Sequence, residues 1–146
     1  MNSEIKQIDK YTYNESVQLI QRFFKEFKGE LINKIEAEHI LKNSKNKTVV
    51  LIVEGNVRGL YTFEETNEIY IIKAFILHPL VRQKKLGYKL WKHMNDKLKN
   101  KPAIIGIVRN NAAINSIIKK RGHYIGSGID ADFDTIDYYN LTFKGQ

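Results

Sequence analysis

The stretch from Glu68 to His93 constrains the fold most, because one segment contains a strand, a basic turn and a helix. Apolar residues run almost without a break from Ile69 to Leu77, as in a strand that is covered on both faces. Pro79 has no N–H group to donate and ends the strand. Apolar residues at helical spacing then predict an amphipathic helix: Leu86, Leu90, Trp91, Met94 and Leu98.

A basic turn, 82–87, joins this strand to this helix and contains Arg82, Lys84 and Lys85. The N-terminus of a helix presents unpaired N–H groups and a partial positive charge, which suit a phosphate group. Gly87 lets the backbone come close to such a ligand. The turn therefore predicts a phosphate or pyrophosphate site.

Two helices are predicted in the first third of the chain. Thr12 and Glu15 have the spacing of a capping box, and an amphipathic helix follows that Gly29 terminates. Asn33 is the predicted N-cap of a second helix over 34–41, and Glu36 follows it at the spacing of a capping box.

The remaining apolar segments predict strands and one further helix. The turn 54–56 indicates an antiparallel hairpin, and the strand after the central helix is expected to run parallel to its neighbour. An apolar stripe predicts a helix over 112–121. Besides the central strand, strands are predicted over 5–10, 48–53, 57–63, 103–108, 123–127 and 136–143.

Two motifs resemble the GNAT N-acetyltransferases. The turn Arg-Gln-Lys-Lys-Leu-Gly at 82–87 is similar to their Arg/Gln-x-x-Gly-x-Gly/Ala pyrophosphate-binding turn, and Leu77-His78-Pro79 is similar to the end of their fourth strand. Lys85 stands where the first glycine usually is, so a different turn shape is expected. The segment 111–122 is similar to their pattern Asn-x-x-Ala-x-x-Leu-Tyr-x-x-x-Gly.

The resemblance implies a fold and an activity. It implies a single α+β domain over 1–146, with a central mixed, mostly antiparallel sheet flanked by helices in the order β-α-α-β-β-β-α-β-α-β-β. It also implies transfer of an acetyl group from acetyl-CoA to a primary amine of a small molecule or peptide. A direct transfer in a ternary complex is expected, because the chain has no cysteine to carry an acyl group.

The same resemblance implies which residues bind acetyl-CoA, largely through main-chain groups. Asn111 is equally suited to be an N-cap, and the two roles are compatible. The implied cofactor-binding residues are Ile76, Leu77, Arg82, Gln83, Lys84, Lys85, Leu86, Gly87, Tyr88, Asn111 and Lys119.

The positions that carry a catalytic acid and base in many members are apolar in this chain. The acid position corresponds to Ile118 and the base position to Ile71. Tyr124 and Glu68 are the substitute candidates, with an ordinary strand aromatic and a solvated charge as the alternative interpretations. A backbone N–H near Leu77 that polarises the acetyl carbonyl would not depend on side-chain identity.

The loop 129–134 alternates aspartates and borders the acceptor site in the resembling family. Asp132 and Asp134 are the predicted contacts of a cationic amine acceptor. An equally plausible interpretation is a solvated turn, for which aspartate is well suited.

The composition limits the kinds of partner that we expect the protein to bind. The 146 residues carry a formal charge of +8, which favours anionic partners, and contain no cysteine, which fits a cytoplasmic protein. No metal-ligand spacing and no run of about 20 apolar residues is present, so neither a metal nor a membrane is expected. A non-catalytic acyl-CoA sensor and, less favoured, a nucleic-acid-binding domain that uses 82–92 are the alternatives. A homodimer through the strand 138–143 is expected by analogy.

Overall fold

The computed structural model describes residues 2–29, 31–82, 85–109, 122–130 and 133–141. The predicted helix over 112–121 lies outside these residues. The described helices are α1 Tyr13–Lys28, α2 Lys34–Lys42 and α3 Lys85–Lys97, and a 3₁₀ turn spans Pro79–Val81. The described strands are β1 Ser3–Gln7, β2 Asn46–Val53, β3 Asn56–Glu65, β4 Tyr70–Leu77, β5 Ala103–Val108, β6 Gly122–Ile129 and β7 Thr135–Leu141.

The strands form one seven-stranded sheet in the order β1-β2-β3-β4-β5-β7-β6. β4 and β5 are parallel, and the other neighbouring strands are antiparallel. The predicted mixed, mostly antiparallel sheet is therefore confirmed. The expectation that 138–143 offers an edge is wrong for its described part, because β7 lies between β5 and β6. The edge strand on this side is β6.

The helices cover the two faces of the sheet. Trp91 of α3 contacts Phe75 of β4 edge to face, at 5.5 Å between ring centroids. α1 packs on β3, β4 and β5, and it also contacts α2. The core between these layers is apolar, and its largest fully buried side chains include Trp91, Tyr61 and Phe27. None of the described helices is long and apolar enough to cross a membrane.

The two predicted helix starts turn out differently. Asn33 caps α2 in a complete capping box, as predicted: its side chain accepts the Glu36 N–H at 2.8 Å, and Glu36 accepts the Asn33 N–H. Thr12 precedes α1, but the predicted capping box is absent, because the Thr12 hydroxyl bonds Asp9 instead. Asp9 also accepts the Thr12 N–H at 3.0 Å, so the chain turns here and β1 ends earlier than predicted.

The predicted end of α1 and the predicted hairpin between β2 and β3 are both confirmed. Gly29 ends α1 in the left-handed conformation, with φ of 80°, and its N–H bonds the Lys25 carbonyl. Glu54 and Gly55 both have positive φ, 52° and 82°, as the tight hairpin between β2 and β3 requires.

Candidate functional site

A gap opens between the two parallel strands in the middle of the sheet. β4 and β5 pair at Tyr70–Ala103, Ile71–Ile104 and Ile72–Ile105. Beyond these positions, the rest of β4 pairs with β3 and the rest of β5 pairs with β7. The C-terminal halves of β4 and β5 therefore have polar backbone edges that face each other without pairing.

A β-bulge lies where this gap begins. Ala74 is opposite Thr62, but Ile72 is opposite Phe63, so Lys73 is an extra residue in β4. A bulge bends its strand and increases the local twist, which helps β4 to diverge from β5. The Lys73 ammonium lies 3.4 Å from the Glu64 carboxylate on β3.

The pairing register decides which backbone groups face the gap. His78 donates its N–H to the Arg58 carbonyl at 2.8 Å, across the β3–β4 ladder. Backbone groups alternate in direction along a strand, so those of Ile76 point toward β3, and those of Phe75 and Leu77 point into the gap. Leu77 was predicted from the sequence to contact the cofactor. Ile76 was the other predicted contact on this strand, but its backbone groups point away from the gap. Phe75 was not singled out, because only the register reveals these directions.

The basic turn packs closely against the end of β4. A Cβ atom added to Gly87 would lie 2.9 Å from Leu77 Cδ1 and 3.2 Å from the Val81 carbonyl oxygen. Only glycine fits this approach of α3 without displacing a neighbour. The first turn of α3 therefore lies beside the open end of the gap, with Lys85 and Tyr88 exposed and Leu86 partly buried. Gln83 and Lys84 lie outside the described residues.

Arg82 is directed toward the body of the protein. Its Nε donates to the Leu77 carbonyl at 2.8 Å, and its guanidinium forms an ion pair with Glu26 of α1. The guanidinium also lies over the Phe23 ring, at 5.3 Å from the centroid. The structure thus uses the Arg82 side chain to join the end of β4 to α1.

His78, at the end of the same strand, is held in its neutral form. Its Nδ1 accepts the Leu80 N–H at 3.1 Å, which is possible only when this nitrogen carries no proton. Burial lowers the His78 pKa, and the nearby guanidinium of Arg58 lowers it further.

The structure does not bring Tyr124 and Glu68 together. Tyr124 is on the edge strand β6, and its hydroxyl bonds the Ser127 hydroxyl, which donates to Asp137 at 2.8 Å. Glu68 is exposed in the turn before β4, at the end where β4 and β5 are paired. Ile71 lies in the paired region, opposite Glu64 of β3. Ile118, Asn111 and Lys119 lie outside the described residues.

Asp137 comes soon after the acidic loop 129–134 in the sequence, but its side chain is buried in the sheet. It is an interior residue of β7 that is 4% exposed, and Arg109 bonds its carboxylate through Nη2 at 2.9 Å. The hydrogen bond that Arg109 donates to Asp137, followed by the carboxylate's charge, raises the pKa of Arg109. Asp137 is therefore part of a structural ion pair.

The acidic loop meets the end of α1. A Cβ atom added to Gly29 would lie 2.8 Å from one Asp134 carboxylate oxygen and 3.0 Å from one Asp130 carboxylate oxygen. Asp134 is thus placed at the junction of the α1–α2 and β6–β7 connections. Asp132 lies outside the described residues.

A cavity lies between α1, α2 and the sheet. A cavity of about 300 Å³ is lined by Phe24, Lys28, His39, Ile40, Asn43, Asn46 and Lys73. On the far side of the gap, the Tyr138 ring lies against Gly106, where an added Cβ atom would be 2.6 Å from Tyr138 Cε1. Tyr138 was not singled out from the sequence, because its position depends on the β5–β7 register.

No protein-family model and no curated protein matches the chain. Solved structures match it over nearly its whole length. An N-acetyltransferase from Staphylococcus aureus has a TM-score of 0.79 at 16% identity, covering 99% of this chain and 100% of that one. The ribosomal-protein-S18-alanine N-acetyltransferase from Escherichia coli has a TM-score of 0.78 at 11% identity, covering 96% and 93%. The PaiA N-acetyltransferase from Thermoplasma acidophilum, in complex with coenzyme A, has a TM-score of 0.68 at 13% identity, covering 97% and 100%.

These likenesses establish the fold. The chain has the GNAT N-acetyltransferase fold, as its two motifs predicted. At such low identities the likeness concerns the fold alone.

Proposed function

We propose that the protein is an N-acetyltransferase that transfers an acetyl group from acetyl-CoA directly to a primary amine. One observation supports this most strongly: the backbone groups of Phe75 and Leu77 face a gap between parallel strands that leads to a helix N-terminus. Such a gap suits an extended chain with amide groups, which adds to the open strand edge. The helix N-terminus suits the phosphates at the other end of the same molecule.

In this proposal the pyrophosphate binds the turn 82–87 mostly through main-chain N–H groups. Arg82 contributes by holding the end of β4 in place, because its guanidinium is engaged with Glu26 and Leu77. Lys85 and Tyr88 have exposed side chains beside this turn, and Gln83, Lys84, Asn111 and Lys119 remain predicted contacts. Gly87 keeps the turn close to Leu77.

The chemistry requires a polarised carbonyl and a neutral amine. The Phe75 N–H faces the gap and is the proposed donor to the acetyl oxygen as negative charge develops there. Tyr124 stays the predicted acid and Glu68 the predicted base. Tyr124 is on the edge strand and Glu68 is in an exposed turn, so we expect each to contribute less to the rate than the backbone donor. Asp132 and Asp134 remain the proposed contacts of a cationic acceptor.

Two alternative functions predict different results in binding and turnover measurements. A sensor of the same fold would bind acetyl-CoA without turnover. A nucleic-acid-binding domain would bind a DNA duplex with an affinity that falls steeply as salt rises. A cytoplasmic location and a homodimer stay predictions.

Calorimetric titration with acetyl-CoA tests the proposal, with ATP and a short DNA duplex as anionic controls at two salt concentrations. We expect acetyl-CoA to bind with a Kd of about 1–100 μM, a few kcal/mol tighter than ATP. Release of the CoA thiol with a panel of amines then separates the enzyme from the sensor. Salt-sensitive DNA binding without acetyl-CoA binding would refute the proposal.

The variant Gly87→Val tests the site, and a substitution at Gly55 is its control. Its added methyl groups extend the 2.9 Å approach to Leu77, so they should displace the turn and weaken acetyl-CoA binding. Gly55→Asn is the control: nothing lies within 4 Å of an added Cβ atom there, and asparagine tolerates the positive φ of this position, so acetyl-CoA binding should be retained.

A further inference from the structure

The cavity between α1, α2 and the sheet has a basic lining. Lys28 at the end of α1, His39 on α2 and Lys73 on β4 contribute to its wall. None of the described residues that line it carries a carboxylate. Its volume of about 300 Å³ is sufficient for a small organic molecule. The cavity therefore has the electrostatics of a site for an anionic group.

The strand register shows that the Lys73 side chain belongs to the cavity face of the sheet. Asn46 is opposite Glu64, and Glu64 is opposite Ile71, so these three side chains share one face. Lys73 follows Ile71 by two residues and shares this face as well. Because Asn46 and Lys73 both line the cavity, this is the face that α1 and α2 cover.

The Lys73 ammonium is held above β3, away from the backbone of its own residue. It lies 3.4 Å from the Glu64 carboxylate, and the Lys73 side chain is still 39% exposed. The backbone of Lys73 forms the bulge where the gap between β4 and β5 begins. An ammonium has three N–H donors, so Lys73 can bind the anion of a ligand while it stays paired with Glu64.

The rest of the wall offers further donors and hydrocarbon. Asn43 Oδ1 accepts the Lys45 N–H at 3.0 Å, so the amide N–H₂ of Asn43 is the group that can donate to a ligand. Phe24 and Ile40 are apolar and can contact methylene groups. The wall as a whole suits a molecule that has an anionic end and a short hydrocarbon chain.

We infer that the acceptor carries an anionic group, a carboxylate or a phosphate, which binds Lys28 and Lys73 in this cavity. This inference rests on the proposed N-acetyltransferase function. The amine of the same molecule points from the cavity to the gap, whose nearer end is the bulge at Lys73. Such an acceptor still carries the ammonium for which Asp132 and Asp134 are the proposed contacts.

The geometry of the sheet sets the length of this acceptor. Neighbouring strands are about 4.8 Å apart and a strand rises about 3.3 Å per residue, so roughly 7–10 Å separate a group above β3 from the gap beside Phe75. A chain of about five methylene groups spans this distance. The acceptor class is therefore an ω-amino acid or an aminoalkyl phosphate of this length.

The amine 6-aminohexanoate tests the inference, with n-pentylamine as the matched amine that lacks only the carboxylate. We expect kcat/KM for 6-aminohexanoate to exceed that for n-pentylamine by about tenfold, as one charge-assisted hydrogen bond predicts. Glycine carries the same charges on a chain too short to span the distance, so it should have no advantage over n-pentylamine. A comparison with 5-aminopentyl phosphate shows which of the two anions the cavity prefers.

Variants of the two lysines test whether the cavity is the site. Lys73→Met and Lys28→Met each remove one cation, so each should bring the ratio of the two kcat/KM values closer to one. Lys73→Arg keeps a positive charge beside Glu64 and should keep most of the preference. Lys92→Met is the control, because Lys92 is exposed on α3, which bonds Tyr61 on the other face of the sheet. Calorimetric titration of 6-aminohexanoate into each protein saturated with CoA measures the same preference without turnover.

Each contrary result has a separate meaning. A ratio near one in the native protein, with n-pentylamine acetylated, overturns the inference about the anion and leaves the proposed function intact. A preference that persists in both Lys28→Met and Lys73→Met assigns the anion to another place and also overturns the inference. Failure of the native protein to bind acetyl-CoA overturns the proposed function, and the inference with it.

Discussion

The Tyr61 hydroxyl lies 2.8 Å from Nδ1 of His93 and joins the middle of β3 to α3. Burial raises the pKa of Tyr61, so its hydroxyl keeps its proton, and which group donates depends on the imidazole tautomer. Burial also lowers the pKa of His93, with a further contribution from Lys97 that Asp96 opposes. Burial therefore favours the neutral form of the His93 imidazole beside Tyr61.

The burial of His93 predicts a loss of stability in acid. The His93 pKa is lower in the folded protein than the value of about 6.5 in the unfolded chain. Its contribution is complete above that unfolded value and is lost as pH falls through the folded value. Urea unfolding at pH 7.5 and at pH 5 should therefore show a smaller pH dependence for His93→Gln than for the native protein. His39→Gln, at an exposed site on α2, should keep the native slope.

The contact between Tyr138 and Gly106 predicts that substitutions at the two positions have coupled effects on the unfolding free energy. A double-mutant cycle measures this coupling. Alanine at position 106 would place its Cβ atom 2.6 Å from the Tyr138 ring, so Gly106→Ala should cost about 1–3 kcal/mol of unfolding free energy. Tyr138→Ala removes the ring, and Gly106→Ala should cost clearly less in that background. Equal costs in the two backgrounds would show that the ring does not need the glycine.

The ion pair of Arg109 and Asp137 should contribute more to the unfolding free energy than an ion pair at the surface does. Asp137 is buried, and Arg109→Leu leaves its carboxylate without this guanidinium, which should lower the unfolding free energy by about 1–3 kcal/mol. Lys34→Met removes a pair with Glu38 on the surface of α2, where the lysine side chain is 72% exposed, and should cost no more than about 1 kcal/mol. Similar losses in the two variants would contradict a structural role for the buried pair.

The acidic loop predicts a charge preference for the acceptor. Asp132→Asn/Asp134→Asn should raise the KM for a cationic amine by roughly fivefold, as loss of about 1 kcal/mol of attraction implies. The CoA affinity should stay the same, because Asp134 lies at the α1 end and not in the turn 82–87. Glu4→Gln removes an exposed carboxylate from β1, at the opposite edge of the sheet from β6, and is the control. An unchanged KM would support the solvated-turn interpretation.

The sequence predicted the elements that local patterns determine. The Asn33 capping box, the Gly29 helix end and the hairpin at Glu54 and Gly55 follow from the requirements of a few adjacent residues. The Thr12 capping box had the same spacing but failed, because Asp9 took the threonine hydroxyl.

The features of the site that the sequence did not predict depend on tertiary register. The bulge at Lys73 and the direction of the Phe75 backbone follow from how β3 pairs with β4. Arg82 looks like a phosphate ligand in the sequence, and only the proximity of α1 shows that Glu26 engages it. The Tyr138 position requires the β5–β7 pairing.

Backbone amide resonances measured during an acetyl-CoA titration test the central claim most directly. The Phe75 and Leu77 amides face the gap, so their resonances should shift strongly on binding. The Ile76 amide points toward β3 and should shift much less, which makes it an internal control on the same strand. Strong shifts at Phe75 and Leu77 would confirm that acetyl-CoA adds to the open edge of β4. Shifts confined to exposed residues of α3, with Phe75 and Leu77 unchanged, would contradict it.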